Sequence, residues 1–379
     1  MHPPDDKRVH YKEAVSLVNN GFDVVHVCPH REDHYDLDGV EIIGFEGKRS
    51  ILGRIMQMPR LYKMAAATNA DVYHCNEFES WAVGVWLKWF RKAKLIFDAH
   101  EIPSHDFAES RFPKFLHPLV IFVVRMFVKF FLLFTDQIVL AKKTAALDFA
   151  KTRVPQVLVQ NFTDLTCQNE DVLKPANSNE DWIKVVHLGA INRVRGWPQM
   201  LDAVAAAKNK KIFLHVIGKF GDNSDDEFLA RVKELGLEDR VRFDSWIPYD
   251  EVYDALLSCD VGIILFQPVM LNFTHALPHK LFDYMLAKLP VIVPDFAIEV
   301  RDIVKDSEAG FLVDPTNIDE VAGVLDQLAD DKALRETMGE NGYNAVFETY
   351  NWQNEEQRLI DMYRAIEDEH IAAQDKASA

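Results

Sequence analysis

The chain has 379 residues, is 48% hydrophobic and carries a formal net charge of −17 at pH 7. This apolar content excludes a wholly disordered chain. Four cysteines are too few for a disulfide scaffold of this length. The excess of acidic side chains argues against a nucleic-acid partner. Residues 1–175 carry 22 basic and 22 acidic side chains, whereas residues 176–379 carry 20 and 37. This asymmetry predicts two bodies with different surroundings.

The first body alternates between apolar, β-rich runs and helical stretches. Strands are expected at 22–28, 40–45, 72–75, 95–98, 137–141 and 157–159, and helices at 10–20, 51–68, 78–91, 114–134 and 142–151. Short apolar strands between helices predict a parallel sheet covered on both faces. The loop-like HPPD run at 2–5 has no strand before it, so either the first strand of the sheet is absent or Met1 lies downstream of the natural start.

The segment FLHPLVIFVVRMFVKFFLLFT at 115–135 is close to the length and apolarity of a membrane span. Arg125 and Lys129 interrupt it and, being four residues apart, share one helix face. Such a helix is typical of the membrane interface, but a core helix that extends two charges to water has the same pattern. The sequence leaves the interfacial, core and spanning interpretations open.

A polar run without periodicity at 163–181 predicts a linker, after which the alternation restarts. Strands are expected at 183–188, 212–217, 240–243, 261–266, 291–293 and 310–313, and helices at 198–207, 226–235, 250–258, 279–287 and on to about 369. The sequence thus predicts an α/β chain with two tandem, Rossmann-like, doubly wound parallel-sheet domains at 1–162 and 182–350. A helix at 351–370 is expected to cross back to the first domain. Because ligands bind at the carboxyl ends of such strands, a cleft between the domains is the expected site.

Two polar groups in the second body suit a nucleoside diphosphate. HLGAINRVRGWPQMLDAV at 187–204 places Gly189, Arg193 and Arg195 between a strand and a helix start, where glycine permits close approach and arginines suit phosphates. In THALPHKLFDYMLAKLPVIVPD at 274–295, Lys280 can reach a phosphate and Asp283 can accept bonds from ribose hydroxyls. On spacing alone, a plain strand–loop–helix turn is the favoured interpretation of the first group, and a surface Lys–Asp pair explains the second as well as a ligand site does.

A third group, LIFDAHEIPSHD at 95–106, places Asp98, His100 and Glu101 just past a predicted strand. Functional groups of α/β domains lie at this position, although a solvated polar loop has the same composition. The chain contains no HExxH, GxGxxG, phosphate-loop or GxSxG motif.

The order and spacing of these motifs resemble one family. The second body also carries RVRFDSWIPYDEVYDALLSCDVGIILF at 240–266 and AGFLVDPTNIDEVAGVLDQLADD at 309–331, and the first carries HPPDDKRVHYKEAVSLVNNGFDV, FDAHE and VLVQNFTD. Together they resemble the retaining glycosyltransferases of the GT-B fold, glycosyltransferase family four (glycosyl transferases group 1). The resemblance covers nearly the whole chain.

The resemblance implies a hexosyltransferase that moves a sugar from a nucleotide-diphosphate donor to a glycan or lipid-linked acceptor, with retention of configuration, in cell-surface polysaccharide synthesis. It implies no metal or other cofactor, because arginine and lysine would stabilise the leaving diphosphate. The N-terminus has no apolar signal segment, so a cytoplasmic protein is expected, with peripheral contact through 115–135 to the inner face of the membrane.

The resemblance also implies residue roles. The expected catalytic residues are His100, Arg195 and Lys280. The expected donor-binding residues are Gly189, Arg193, Arg195, Ile247, Pro248, His275, Lys280, Leu281 and Asp283. The expected acceptor-side residues are Asp5, Arg8 and Glu101.

Two departures from the family pattern concern the donor. His275 and Asp283 stand where the family has a pair of glutamates, and a histidine cannot act as a fixed carboxylate. Ala190 stands where many members have an arginine. A sugar-nucleotide epimerase of the same fold and a non-catalytic, transferase-like partner subunit therefore stay as alternatives. A two-lobed solute-binding protein predicts an export signal that the N-terminus does not show.

Overall fold

The computed structural model describes residues 2–31, 34–48, 50–91, 93–165, 182–245, 247 and 249–378. The chain divides into unit 1, which is Met1–Asn161 with Trp352–Ala379, and unit 2, which is Phe162–Asn351. Of the linker predicted at 163–181, only 163–165 lie among the described residues, and they belong to unit 2.

Unit 1 contains two sheets. Its strands are β1 Val25–Pro29, β2 His34–Leu37, β3 Val40–Phe45, β4 Val72–Cys75, β5 Lys94–Ala99, β6 Gln137–Leu140 and β7 Gln156–Leu158. The sheets have the orders β1-β3-β2 and β4-β5-β6-β7, and every pair is parallel except β2 with β3. Strand β2 was not predicted. Asp38 and Gly39, with φ of 55° and 80°, join it to β3, and Asp-Gly is a strong hairpin signal in any sequence.

The helices of unit 1 begin with a π-helix, Lys7–Ala14, whose first N–H groups are capped by the Asp6 carboxylate. It continues into α1 Val15–Asn19 and is followed by α2 Ile51–Thr68, α3 Phe78–Phe90, α4 Pro103–Arg111 and α5 His117–Leu132. Helix α4 was not among the predicted helices, although Pro103 suits a first helical turn and starts the helix there. The helix expected at 142–151 is only a short 3-10 helix, Lys143–Asp148.

Unit 2 is built on one parallel sheet of order β10-β9-β8-β11-β12-β13. Its strands are β8 Ile183–Leu188, β9 Ile212–Ile217, β10 Val241–Asp244, β11 Val261–Ile263, β12 Val291–Pro294 and β13 Gly310–Val313. Its helices are α6 Trp197–Ala206, α7 Asp225–Glu234, α8 Tyr249–Leu257, α9 Leu271–Thr274, α10 His279–Leu286, α11 Ile298–Ser307, α12 Ile318–Asp330 and α13 Lys332–Glu348. The strand order reverses between β8 and β11, and such a switch point opens a ligand crevice at the carboxyl ends of the two strands.

Close packing fixes α10 beside this switch point. A side chain at Gly262 in β11 would begin 2.4 Å from the ring of Tyr284, so glycine lets α10 lie directly on the strand. The buried Tyr284 hydroxyl accepts a hydrogen bond of 2.7 Å from the N–H of Leu188. The start of α10 is thereby held next to the end of β8.

The last helix, α14 Trp352–Ser378, belongs to unit 1. Trp352 and Ile360 pack in one cluster with Ile96 and Val139 from β5 and β6. The Trp352 indole N–H also donates to the Ser16 hydroxyl at 3.0 Å. The segment predicted at 351–370 thus forms the greater part of α14.

Candidate functional site

The carboxyl ends of β8 and β11 form the candidate site of unit 2. Gly189 follows β8 directly and has a φ of 92°, in the region that favours glycine. A side chain added there would begin 3.7 Å from both Cε and Nζ of Lys280. The turn after β8 and the start of α10 therefore meet at the lysine ammonium group.

Lys280 is buried at this meeting point, with 8% of the residue exposed. Burial, together with the nearby charge of Arg195, lowers the pKa of Lys280 to about 7. An anion beside Nζ would favour the protonated form again, because opposite charges stabilise each other. The lysine is therefore poised to gain charge when an anionic ligand binds.

His187, near the end of β8, orients this lysine and was not among the predicted site residues. Its Nδ1 lies 3.3 Å from the carbonyl oxygen of Ile263, and its Nε2 lies 3.2 Å from Nζ of Lys280. Burial and then Lys280 hold the pKa of His187 well below its usual range, so the ring is neutral. Since a carbonyl can only accept, Nδ1 carries the proton and Nε2 accepts from Lys280. The available sequence signal was a histidine that follows the two valines in the centre of this strand.

The structure separates the two arginines that the sequence proposed for the diphosphate. Nη1 of Arg195 donates to the carbonyl of Ala190 at 3.2 Å, and burial lowers the pKa of Arg195. Its charge acts on Lys280, so the two cations share one site. Arg193 instead forms surface ion pairs with Asp222, at 3.2 Å, and with Glu227. The geometry thus brings Arg195, and not Arg193, to the lysine.

The other predicted donor-binding residues differ in which of their atoms a ligand could reach. Asp283 lies one turn after His279, with its Oδ1 3.0 Å from the Nδ1 of that histidine. The Leu281 side chain is fully buried in the core of unit 2, so only its backbone is available to a ligand. His275 directly follows α9 and is 9% exposed. Of the expected donor-binding residues Ile247 and Pro248, Ile247 packs against the core, whereas Pro248 lies outside the described residues.

A second polar site lies at the carboxyl end of β5 in unit 1. The fully buried Asp98 lies 3.0 Å from Nε2 of His100 and 3.1 Å from Nη2 of Arg8. Although burial opposes it, Arg8 and then His100 hold the pKa of Asp98 well below its usual range. Asp98 is therefore a carboxylate that accepts from Nε2–H, which leaves Nδ1 of the partly exposed His100 outside this hydrogen bond.

Arg8 does not lie where an acceptor-side residue was expected. It is 4% exposed, donates to the Val159 carbonyl at 2.9 Å and pairs with both Glu13 and Asp98. Its guanidinium is committed to protein acceptors, because it supplies the counter-charge of the buried Asp98 carboxylate and also contacts Glu13. We therefore correct its role from ligand contact to support of the Asp98–His100 pair.

The same cluster has the spacing of a metal site. Ligand atoms of Glu13, His74 and Asp98 lie within 4.8 Å of one another. Arg8 already pairs with both carboxylates, and burial raises the pKa of Glu13 well above its usual range. A protonated glutamic acid is a poor metal ligand, so these residues fit a hydrogen-bonded charge network better than a metal centre.

The two remaining acceptor-side residues are exposed. Asp5 precedes the π-helix at the start of unit 1, and Glu101 follows β5. Glu101 forms an ion pair with the buried Lys142. Both are accessible to a ligand, and their contact with an acceptor stays a prediction.

Unit 1 also exposes a large apolar surface on α5 and the end of α3, which we call the α3–α5 surface. Only 17% of the apolar stretch within 114–132 is buried, so α5 is not a core helix. By length and composition alone, the same stretch could cross a membrane. Trp89 of α3 stacks on Phe134 at 5.6 Å and continues the surface. Its exposed members are Trp86, Trp89, Phe90, Phe115, Leu119, Phe122, Val123, Met126, Phe127, Phe130 and Leu133.

Two family models match the chain and together span most of it. The model described as glycosyl transferases group 1 matches residues 168–345. The model described as glycosyl transferase 4-like domain matches residues 8–159. The expectation of a group 1 glycosyltransferase that was drawn from the motifs is thereby confirmed, whereas retention of configuration stays a prediction.

A curated relative and two solved structures show similarity of different kinds. An MMP α-(1→4)-mannosyltransferase from Mycolicibacterium hassiacum is 25% identical over 173 residues, which are 45% of this chain and only 40% of that protein. Sucrose-phosphate synthase from Thermosynechococcus elongatus aligns with a TM-score of 0.74 at 18% identity, over 94% of this chain and 91% of that one. HepE from Anabaena, in complex with UDP, aligns with a TM-score of 0.67 at 16% identity, over 86% of each chain.

Proposed function

Because this chain is a glycosyltransferase of the GT-B fold, with a glycosyl transferase 4-like domain and a group 1 domain, we propose that it transfers a hexose from a nucleotide-diphosphate sugar. The acceptor is a glycan or a lipid-linked sugar, the anomeric configuration is retained, and the product belongs to a cell-surface polysaccharide. The UDP bound to the similarly folded HepE is consistent with a nucleotide donor.

The observation that carries this proposal is the pair of cations at the switch point of unit 2. Lys280 and Arg195 share one site beside the positive-φ turn at Gly189. A leaving diphosphate gains negative charge as the sugar departs, and fixed cations in a partly dry site stabilise that charge. With two cations available, the transfer is proposed to need no divalent metal. Asp283 is proposed to bind the ribose hydroxyls.

His100 is proposed to meet the donor sugar near its reacting carbon. Asp98 holds the ring through Nε2, as a carboxylate does when it fixes one tautomer of a catalytic histidine. The diphosphate itself is proposed to help remove the acceptor proton, since the motifs contain no nucleophile suited to a covalent intermediate. Positioning and charge stabilisation would then supply most of the catalysis.

A thermal-shift experiment tests the donor site. UDP, GDP and ADP are each titrated against the wild-type chain and against Lys280→Ala. One nucleotide should raise the melting temperature of the wild type, because a ligand that binds only the folded state stabilises it by about 2.7 kcal/mol at 100 times its Kd. The same nucleotide should leave Lys280→Ala nearly unchanged. Absence of any stabilisation by all three nucleotides would reject the donor site.

The α3–α5 surface supports a membrane-linked acceptor. Its exposed aromatic and aliphatic side chains lie beside the exposed Lys129 and beside Arg125, which pairs with Asp148 at 3.0 Å. An apolar helix surface with basic residues binds anionic bilayer interfaces. We therefore propose a cytoplasmic protein that associates peripherally with the inner face of the membrane.

Co-sedimentation with vesicles tests this association. The chain should sediment with vesicles that contain phosphatidylglycerol at low salt and be partly released at high salt. The double variant Phe122→Gln, Met126→Gln should lose most of this binding. Leu229→Gln is a matched control, because Leu229 is a similarly exposed leucine on α7 of unit 2. Equal sedimentation of the two variants would contradict the proposal.

A further inference from the structure

Glu13 is a second buried acid beside the Asp98–His100 pair of unit 1. It is 3% exposed and belongs to the π-helix Lys7–Ala14. An oxygen of its carboxyl group lies within 4.8 Å of an oxygen of the fully buried Asp98. The carboxylate that holds His100 therefore has another acidic side chain next to it.

The π-helix brings Glu13 to this place. Its hydrogen bonds join residues that are five apart, so side chains five residues apart lie on nearly the same side. Arg8 and Glu13 have this separation, and Nε of Arg8 lies 2.9 Å from Oε1 of Glu13. In an α-helix, with about 3.6 residues per turn, the same two side chains would point in different directions. The unusual helix thus places one arginine and one acid together against Asp98.

The cluster has two acids for one guanidinium. Nη2 of Arg8 lies 3.1 Å from Oδ2 of Asp98, so the same guanidinium contacts both carboxyl groups. His74 adds no positive charge, because burial lowers its pKa to about 4. When two carboxyl groups share one buried site, the pKa of one of them rises strongly and that acid keeps its proton. The ionisable groups around Glu13 and Arg8 are Asp6 before the π-helix, His74 of β4, Asp98 of β5 with His100 after it, and Glu355 and Tyr363 of α14.

Hydrogen-bond donors decide which acid keeps the proton. Asp98 accepts from Nη2 of Arg8 at 3.1 Å and lies 3.0 Å from Nε2 of His100. Oε1 of Glu13 has no aligned donor among the described residues, and its Oε2 accepts only a long bond of 3.5 Å from Asn76. A buried carboxylate needs donors, so the charge stays on Asp98 and the proton stays on Glu13. In agreement, burial raises the pKa of Glu13 well above its usual range.

A protonated Glu13 has an O–H group to donate. Its neighbours include two acceptors, the Asp98 carboxylate and Nε2 of His74, and this nitrogen is buried without a hydrogen-bond partner among the described residues. On the other side of the ring, Nδ1 of His74 lies 2.8 Å from the Tyr363 hydroxyl. Glu13 thus lies between the last helix, which reaches it through Tyr363 and His74, and the Asp98–His100 pair.

We propose that Glu13 is a positioning residue that works as a neutral acid: it keeps one proton in the cluster, so that Arg8 neutralises Asp98 alone and Asp98 stays bound to Nε2 of His100. An ionised Glu13 would compete with Asp98 for Arg8 and repel it, and the support of the histidine would be lost. The role of His100 in sugar transfer rests on the proposed function, whereas the proton on Glu13 does not depend on it.

Urea unfolding at several pH values tests the neutral state of Glu13 on the full chain. Glu13→Gln keeps the shape and a donor but cannot ionise. The folded wild type keeps a proton that the unfolded chain releases above about pH 4.5, so the wild type should lose stability as the pH rises and the variant should not lose this part. From about pH 5 to about pH 7, the unfolding equilibrium constant of the wild type relative to that of Glu13→Gln should rise up to about tenfold per pH unit.

Glu238→Gln is the matched control, because Glu238 is an exposed glutamate after α7, and its curve should follow that of the wild type. A Glu13→Gln chain that is less stable than the wild type at pH 7, with a difference that closes toward pH 5, would show an ionised Glu13 and overturn the proposal. A difference that does not change with pH would overturn it as well.

Rescue by the conservative variant tests the positioning of His100. Glu13→Leu removes the donor and should lower kcat about 10- to 100-fold, since a displaced catalytic group costs this much, while the KM for the donor changes little. Glu13→Gln should restore kcat to within about threefold of wild type. Nitrogen NMR of the His100 ring, assigned by its loss in His100→Asn, should show the proton on Nε2 in the wild type and in Glu13→Gln but not uniformly in Glu13→Leu.

These measurements separate the two proposals. A wild-type chain that transfers no sugar would reject the proposed function, while the NMR spectra and the unfolding curves would still decide the role of Glu13. An unchanged His100 spectrum in Glu13→Leu, or a Glu13→Gln variant as impaired as Glu13→Leu, would overturn the positioning role.

Discussion

The two units bury cations in opposite ways. In unit 2, burial lowers the pKa of Lys280 and of Arg195, and at Lys280 the charge of Asp283 opposes this only in part. In unit 1, Asp98 and Glu13 raise the pKa of Arg8 in spite of its burial. A buried cation that forms ion pairs with buried acidic side chains supports the fold. A buried cation whose charge is not neutralised in this way is suited to binding an anionic ligand. The comparison explains why Arg8 supports His100 while Arg195 is available to a diphosphate.

The largest expected effect is on the stability of unit 1. Arg8→Met leaves the buried Asp98 carboxylate without its cation, and breaking a buried ion pair of this kind costs about 3–5 kcal/mol. Arg195→Met, the matched variant in unit 2, should leave the free energy of unfolding within about 1 kcal/mol of wild type. Urea denaturation of both variants measures the difference. Equal losses of stability would remove the contrast between the two units.

Lys280→Ala should give the largest loss of activity. Removing one donor that stabilises developing charge typically lowers kcat about 100- to 1,000-fold. Lys288→Ala is the control, because Lys288 is a surface lysine that pairs with Glu340. Sugar transfer is measured once the thermal-shift screen has identified the nucleotide. Near wild-type rates for Lys280→Ala would contradict a role in donor binding.

The two arginines after β8 provide a sharper test of the same site. Arg195→Ala should lower kcat/KM about 10- to 100-fold, since one charge-assisted contact to a phosphate is worth about 1.5–3 kcal/mol. Arg193→Ala should change it less than about threefold, because its ion pairs with Asp222 and Glu227 lie at the surface. If Arg193→Ala proves the more damaging change, the diphosphate lies on the opposite side of this turn.

The smallest expected effect is a pH dependence that arises from Lys280. Its pKa of about 7 in the folded chain lies below its ordinary value of 10.5, so between these values the unfolded chain holds the extra proton. This group therefore makes the free energy of unfolding rise with pH from about 7 to 10.5. A diphosphate prefers the protonated lysine, so its binding should take up a proton and weaken by up to about tenfold per pH unit above 7. Calorimetry in two buffers measures the uptake, and Lys280→Arg should abolish it.

Local sequence patterns were sufficient to predict most of the secondary structure of unit 2. Its apolar strands, the glycine after β8 and the helix start before Lys280 all came from periodicity and turn chemistry, which depend on neighbours along the chain. In unit 1 the same approach missed β2, although Asp38-Gly39 carried a hairpin signal. It also left α5 open between a core, an interfacial and a membrane-spanning helix, because a helical apolar pattern does not say which face meets other elements.

The sequence by itself determined the family, the α/β class and which residue types lie near the candidate site, because these follow from short-range patterns. Only the tertiary structure decided which of these residues meet. His187 reaches Lys280 across 93 residues, and Arg8 reaches Asp98 across 90. Long-range packing also drew Arg193 to Asp222 and Glu227, whereas Arg195 stayed near Lys280. Charge pairing and burial arise from contacts between distant segments, and no local pattern specifies them.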